Sequence, residues 1–154
     1  MKALLARLYI SIILIVLALM MVSCSQSPAK ARQDEQPTTS PVEVTVEFSL
    51  ITAAKDGRLL FIGVGGDIDG VVNPDLNVLV GDIVRVNLEN GDGMQHDVSF
   101  PDFGVTSPAV IGKGDRAEVV FEVQDGQAGS YAYFCTVPGH RQAGQEGKLV
   151  ANQP

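Results

Sequence analysis

The 154-residue chain is poor in the side chains that most metal and catalytic sites draw on. It has two histidines, His96 and His140, and two cysteines, Cys24 and Cys135. Of its four methionines, Met1, Met20 and Met21 lie at the N-terminus, which leaves Met94. Bases are also few: 11 Lys and Arg face 18 Asp and Glu, for a formal charge of −7. Beyond the N-terminal apolar run no segment carries a helical stripe, and there is no internal repeat. Each scarcity excludes something. An acidic chain repels the phosphates of nucleic acid, so no nucleic-acid partner is expected. Without helical periodicity, strands must build the fold. The length is that of one domain.

The N-terminus reads as a targeting segment separate from the fold. Lys2 and Arg7 give it a positive start, Leu8 to Val22 is apolar apart from Ser11, and small Ser23 precedes Cys24. This looks like a bacterial lipoprotein signal over residues 1–23, with Cys24 the lipidated first residue of the mature chain. Met21 stands where such signals usually have Leu. The alternatives are an uncleaved anchor, although the run is short beside the roughly 20 residues of a span, and cleavage without lipid. All three export the domain, so the expected location is membrane-anchored, facing the periplasm or cell exterior. Residues 24–41 are rich in Ser, Gln, Pro and Thr and read as a flexible tether. The folded domain is expected over 42–154. Removing Lys2 and Arg7 leaves 9 bases against 18 acids, or −9. That surface suits a basic protein partner through electrostatic steering, or simply keeps the chain soluble.

With Cys24 before the tether, Cys135 is a lone thiol in an exported domain. A Cys24–Cys135 disulfide is the alternative. Cys135 sits in the run Tyr133-Phe134-Cys135-Thr136-Val137-Pro138-Gly139-His140-Arg141-Gln142-Ala143-Gly144-Gln145-Glu146-Gly147. A thiolate, an imidazole and an amide oxygen thus recur at fives, as Cys-x4-His-x4-Gln, on a Pro- and Gly-shaped loop. The other histidine, His96, ends a strand-like run upstream. One soft thiolate, two imidazoles and a weak fourth donor are what a blue-copper electron-transfer centre needs.

The rest reads as all-β. Val42, Val44, Val46 and Phe48 alternate with polar residues, as do Val119, Phe121 and Val123. Strand-like runs at Leu59–Val64, Leu76–Val80, Ile83–Leu88, Val98–Phe100, Tyr131–Cys135 and Lys148–Ala151 are separated by turn signals such as Asn73-Pro74-Asp75 and Asn90-Gly91-Asp92-Gly93. Pro101–Pro108 reads as an irregular loop. Seven or eight short strands at this spacing suggest a Greek-key sandwich.

The run from Asn73 to Val84 resembles the strand-turn-strand opening of cupredoxins. His96-Asp97-Val98-Ser99-Phe100 is similar to their first-histidine motif, and Tyr133–Gly147 to their ligand loop. The resemblance implies a β-sandwich with one type 1 copper near one end, held by His96, Cys135 and His140, with His140 at the exposed edge. Where the family usually has an axial Met, this chain has Gln145, the spacing of stellacyanin-like sites. Gln145 as an oxygen donor would favour Cu(II) and lower the potential. The alternatives are a plain loop residue with a backbone carbonyl or nothing in the axial place, or Met94 reaching in. Asp97 replaces the usual Asn after the first histidine. It can support the ligands from behind by accepting hydrogen bonds from Thr136, or it is an exposed turn residue.

Copper nitrite reductases carry further histidines directly before the ligand cysteine and five residues after the first histidine. Here Phe134 and Pro101 stand there. No histidine is left for a second copper, a trinuclear cluster or acid–base work, and one loop cysteine cannot make a two-thiolate centre. The expectation is therefore not an enzyme but a carrier of single electrons between redox proteins such as a c-type cytochrome, a nitrite reductase or a terminal oxidase. The competing reading is a copper carrier or storage module, and the plainest is an adhesion sandwich without metal.

Overall fold

The computed structural model describes residues 43–154. The signal segment, the tether with Cys24 and the domain boundary at Val42 lie outside the described residues. Among the described residues there are nine strands: β1 (Val46–Lys55), β2 (Arg58–Gly63), β3 (Asp75–Leu79), β4 (Ile83–Glu89), β5 (Ser99–Phe100), β6 (Val105–Thr106), β7 (Arg116–Glu122), β8 (Gly129–Phe134) and β9 (Glu146–Asn152). They form two mixed sheets, ordered β2-β1-β4-β7 and β3-β9-β8-β5-β6. The chain passes repeatedly from one sheet to the other, and the sheets close face to face on one core. No α-helix occurs among the described residues. This is the all-β sandwich that the turn-marked runs imply.

Period-2 patterning decides which side of each strand is buried. Val84, Val86 and Leu88 of β4 point inward, as do Val119 and Phe121 of β7, Leu76 and Val78 of β3, and Leu149 and Ala151 of β9. Each large apolar side chain buried in this way contributes about 1.5–3 kcal/mol. Two details differ from the sequence reading. β1 starts at Val46, not Val42, because its partner β4 begins at Ile83. The Thr45 N–H still reaches the Ile83 carbonyl, at 2.9 Å. The Pro101–Pro108 stretch contains a 3-10 turn (Pro101–Phe103) and the two-residue β6, too short to show an alternation.

Aromatic rings join the core to the end of β8. Phe103 packs on Phe121, Phe121 on Phe100, Phe100 on Tyr133 and Tyr133 on Phe61, with centroids 4.8–5.6 Å apart. This spacing suits offset and tilted pairs. Tyr133 is fully buried, and its hydroxyl donates to the Pro74 carbonyl at 2.8 Å. Burial, and secondarily the charge of Asp75, raises its pKa, so it remains a donor. Across the β8–β9 ladder Tyr133 faces Gly147. A Cβ on Gly147 would run into the Tyr133 ring, so this position must be glycine for steric reasons. Gly147→Ala should push Tyr133 off Pro74 and lower unfolding stability by about 1–3 kcal/mol, the usual cost of overpacking. Urea denaturation checks this; an unchanged midpoint would mean the ring has room to move.

Candidate metal centre

The site is set by strand register. β8 and β9 are antiparallel, with Phe134 opposite Glu146. The next residues, Cys135 and Gln145, therefore face each other, and the Cys135 N–H donates to the Gln145 carbonyl at 3.2 Å. His140 falls midway along the loop between them. Gly139, at φ 86°, takes a left-handed conformation that favours glycine. The Gln145 N–H closes onto the His140 carbonyl at 3.1 Å, and the Ala143 N–H onto that of Gly139 at 2.9 Å. The equal spacing of the three side chains is thus a hairpin geometry. Arg141 clamps the base of the loop. Its guanidinium binds both Glu146 carboxylate oxygens, at 2.7 and 2.8 Å, and lies 3.9 Å over the Phe134 ring.

His96 comes from a second segment. It exchanges backbone hydrogen bonds with Val110, at 2.9 and 2.8 Å. β5 follows and pairs with β8, placing Ser99 opposite Phe134. Asp97, next to His96, is thereby brought to Thr136, next to Cys135. The Thr136 N–H donates to one Asp97 oxygen at 2.6 Å, and the Thr136 hydroxyl to the other. Asp97 is buried, so it is not an exposed turn residue.

The structure brings His96, Cys135, His140 and Gln145 together. One donor atom from each of the first three lies within 4.8 Å of the others. His140 Nδ1 is 3.3 Å from His96 Nδ1 and 3.5 Å from Cys135 Sγ, and Gln145 Oε1 is 3.0 Å from His96 Nδ1. Such separations suit donors sharing one ion with bonds of about 2.0–2.3 Å. His96, Cys135 and Gln145 are buried, and His140 is half-buried. Met94 is 38 % exposed and lends its carbonyl to Asn90.

The donor chemistry fits a cation. His96 Nε2 lies 2.9 Å from the Asp92 carboxylate. This partner makes Nε2 the protonated nitrogen and leaves a lone pair on Nδ1. That lone pair faces the Gln145 Oε1, itself an acceptor, while Gln145 Nε2 is buried without a partner. An amide gains from this orientation when its oxygen looks onto positive charge. Burial is the main cause that lowers the His140 pKa, so its imidazole is neutral near pH 7. Burial raises the Cys135 thiol, partly opposed by the backbone N–H groups of Asp97 and Val137.

Three contributors were not visible as such in the sequence. Asp92 sits in a run that reads only as a turn. Asn73 reads only as a turn residue, yet its side chain accepts from the Phe61 N–H at 2.9 Å and donates to the Gly144 carbonyl at 2.8 Å, tying the loop to β2. The Arg141–Glu146 clamp spans the loop base, where the i,i+5 spacing gives no signal by itself.

A family model described as copper binding proteins, plastocyanin/azurin family, matches residues 73–152. No curated protein sequence matches the chain. Among solved structures, auracyanin B is similar with a TM-score of 0.51 and 18 % identity, over 72 % of this chain and 91 % of its own. A multicopper oxidase from Aquifex aeolicus has a TM-score of 0.55 and 16 % identity, over 72 % of this chain and 27 % of its own. A copper-containing nitrite reductase from Thermus scotoductus has a TM-score of 0.50 and 21 % identity, over 70 % of this chain and 28 % of its own. At these identities the likeness is one of fold.

Loading the site must displace the thiol proton. Because that thiol is raised above its ordinary 9.0 while His140 is already neutral, one proton should leave Cys135 and none His140 near pH 7. Apparent copper(I) affinity should then rise about tenfold per pH unit between pH 7 and 9. Competition against a chelator of known pH dependence measures this, and a flat profile would mean the thiol is already ionised.

Proposed function

The chain belongs to the plastocyanin/azurin family of copper-binding proteins, and from that membership we propose that it carries single electrons between redox proteins. His96, Cys135 and His140 would hold one type 1 copper, with Gln145 Oε1 as the fourth donor. The observation that carries the reading is the convergence of four lone-pair donors at one buried point, with a buried amide nitrogen left bare. Copper bound there would supply a Cu(II)/Cu(I) couple tuned by a thiolate.

The polypeptide's part is to hold the donors still. Cys135 and Gln145 are fixed by the β8–β9 register, His96 by Val110, and the two segments to each other by Asp97 and Thr136. Ligands that cannot relax suit a centre that must change charge without changing shape. His140 is the donor nearest solvent, flanked along its loop by half-buried Val137 and Ala143 and exposed Pro138. That small apolar edge on an acidic protein suits brief docking, with rim charges setting the on-rate. A basic c-type cytochrome fits best, with a nitrite reductase or terminal oxidase as further candidates. We place the domain outside the cytoplasmic membrane, anchored through lipid on Cys24, and assign it no catalytic activity. Burial of three of the four donors argues against a carrier that releases its metal quickly.

The copper-loaded full chain should show an intense thiolate-to-copper band, lost in Cys135→Ser. It should also keep its metal through repeated reduction and reoxidation beside a competing chelator. A colourless loaded protein would sink the blue-copper reading, and rapid loss of metal would favour storage or delivery. Gln145→Met replaces a hard oxygen with a soft sulfur and should raise the potential, by about 59 mV for each tenfold loss of Cu(II) over Cu(I) affinity. If spectrum and potential stay where they were, Gln145 is not a ligand.

A further inference from the structure

The turn Asn90-Gly91-Asp92-Gly93 is built into the site. Asn90 is fully buried. Its Oδ1 accepts from the N–H groups of Asp92 and Gly93 at 3.2 and 2.7 Å, and its Nδ2 donates to the carbonyls of Met94 and Val110 at 2.6 and 3.3 Å. Val110 is also the backbone partner of His96. Gly91 has no space for a side chain, because a Cβ would meet the Thr52 carbonyl. The turn is therefore held from behind, and Asp92 is aimed at His96.

Asp92 Oδ1 accepts from His96 Nε2 and from the Met94 N–H, both at 2.9 Å. Oδ2 is buried and has no partner, and the side chain is only 11 % exposed. Among the described residues no lysine or arginine pairs with Asp92. A carboxylate kept from water with a bare oxygen is costly. An Asn or Ser would brace the turn without that cost. Positive charge reaching His96 from a metal on its other nitrogen offsets it.

We propose that Asp92 is a positioning residue that lowers the copper potential by making His96 a stronger donor to Cu(II). This rests on the copper reading of the site. The carboxylate fixes the imidazole's orientation and tautomer, and it pushes electron density through the ring onto Nδ1. The more highly charged Cu(II) gains more from this than Cu(I). In the redox step one electron from an external reductant converts Cu(II) to Cu(I). Asp92 keeps its charge, His96 keeps its Nε2 proton, and no protein bond forms or breaks at either residue.

The test uses the copper-loaded full chain and the variant Asp92→Asn, which keeps size and an acceptor oxygen but removes the charge. Cu(II) affinity should fall roughly 10–100-fold, with Cu(I) affinity less affected. The potential should rise by about 59 mV per tenfold difference, with the thiolate band retained. Asp125→Asn removes the same charge from the exposed turn before β8, at the strand end opposite Cys135, and should leave the potential unchanged. Equal potentials in the two variants, with the band intact, overturn the Asp92 proposal and leave the copper centre standing. A wild type without the band overturns both. A measurement independent of variant folding is nitrogen-15 NMR of the reduced wild type. The His96 Nε2–H should be downfield and slow to exchange, and a fast-exchanging proton there overturns the proposal.

Discussion

The pairing of β8 with β9 is the constraint on which the site depends. Once Phe134 lies opposite Glu146, Cys135 and Gln145 have no choice but to face each other, and the loop between them must return in a fixed number of residues. Arg141 reinforces that terminal pair by gripping both members, one by a two-point ion pair and the other through its ring face. The pair is partly exposed, so its contribution to global stability is small. Its effect is local: it holds the residue next to His140 against the sheet edge.

The second half of the site is joined to the first by the sheet as well. β5 pairs with β8 at Ser99 and Phe134, and this alone brings Asp97 beside Thr136. His96 is then presented from an irregular segment between β4 and β5. Irregular backbone in a buried place must find partners for its polar groups. Here Val110 and the Asn90 side chain supply them, and Asn73 does the same where the loop passes β2. The rigidity of the centre is thus distributed over ladder bonds and a few buried amides.

Much of this was legible in the sequence, for physical reasons. Strands with one buried face announce themselves by alternation, so β4 and β7 could be read almost to their ends. The donor loop was legible because rare side chains at equal spacing stand out in a chain with two histidines. What escaped was whatever depends on contacts between distant segments. β6 has two residues and no period to show. The start of β1 depends on where β4 begins. Asp92 and Asn90 belong to a run whose Gly and Asp content signals a turn whichever way the side chains point. Only their burial distinguishes a brace for His96 from an ordinary surface turn.

The donor set also orders the site's own tolerance of change. Four lone-pair atoms converge on one point, and once the Cys135 proton is displaced none of them can satisfy another. Without positive charge at that point their mutual repulsion works against the fold locally, so the free energy of binding an ion is partly free energy of holding the loop closed. The sandwich does not depend on it, because its core is shared among β1, β3, β4, β7, β8 and β9. The strain must therefore fall on the donor with the weakest hold. Cys135 and Gln145 are pinned by the ladder, and His96 by Val110 and Asp92. His140 rests on turn bonds alone and is half open to solvent. The edge that would meet a redox partner is thus also the edge with most freedom to admit the ion.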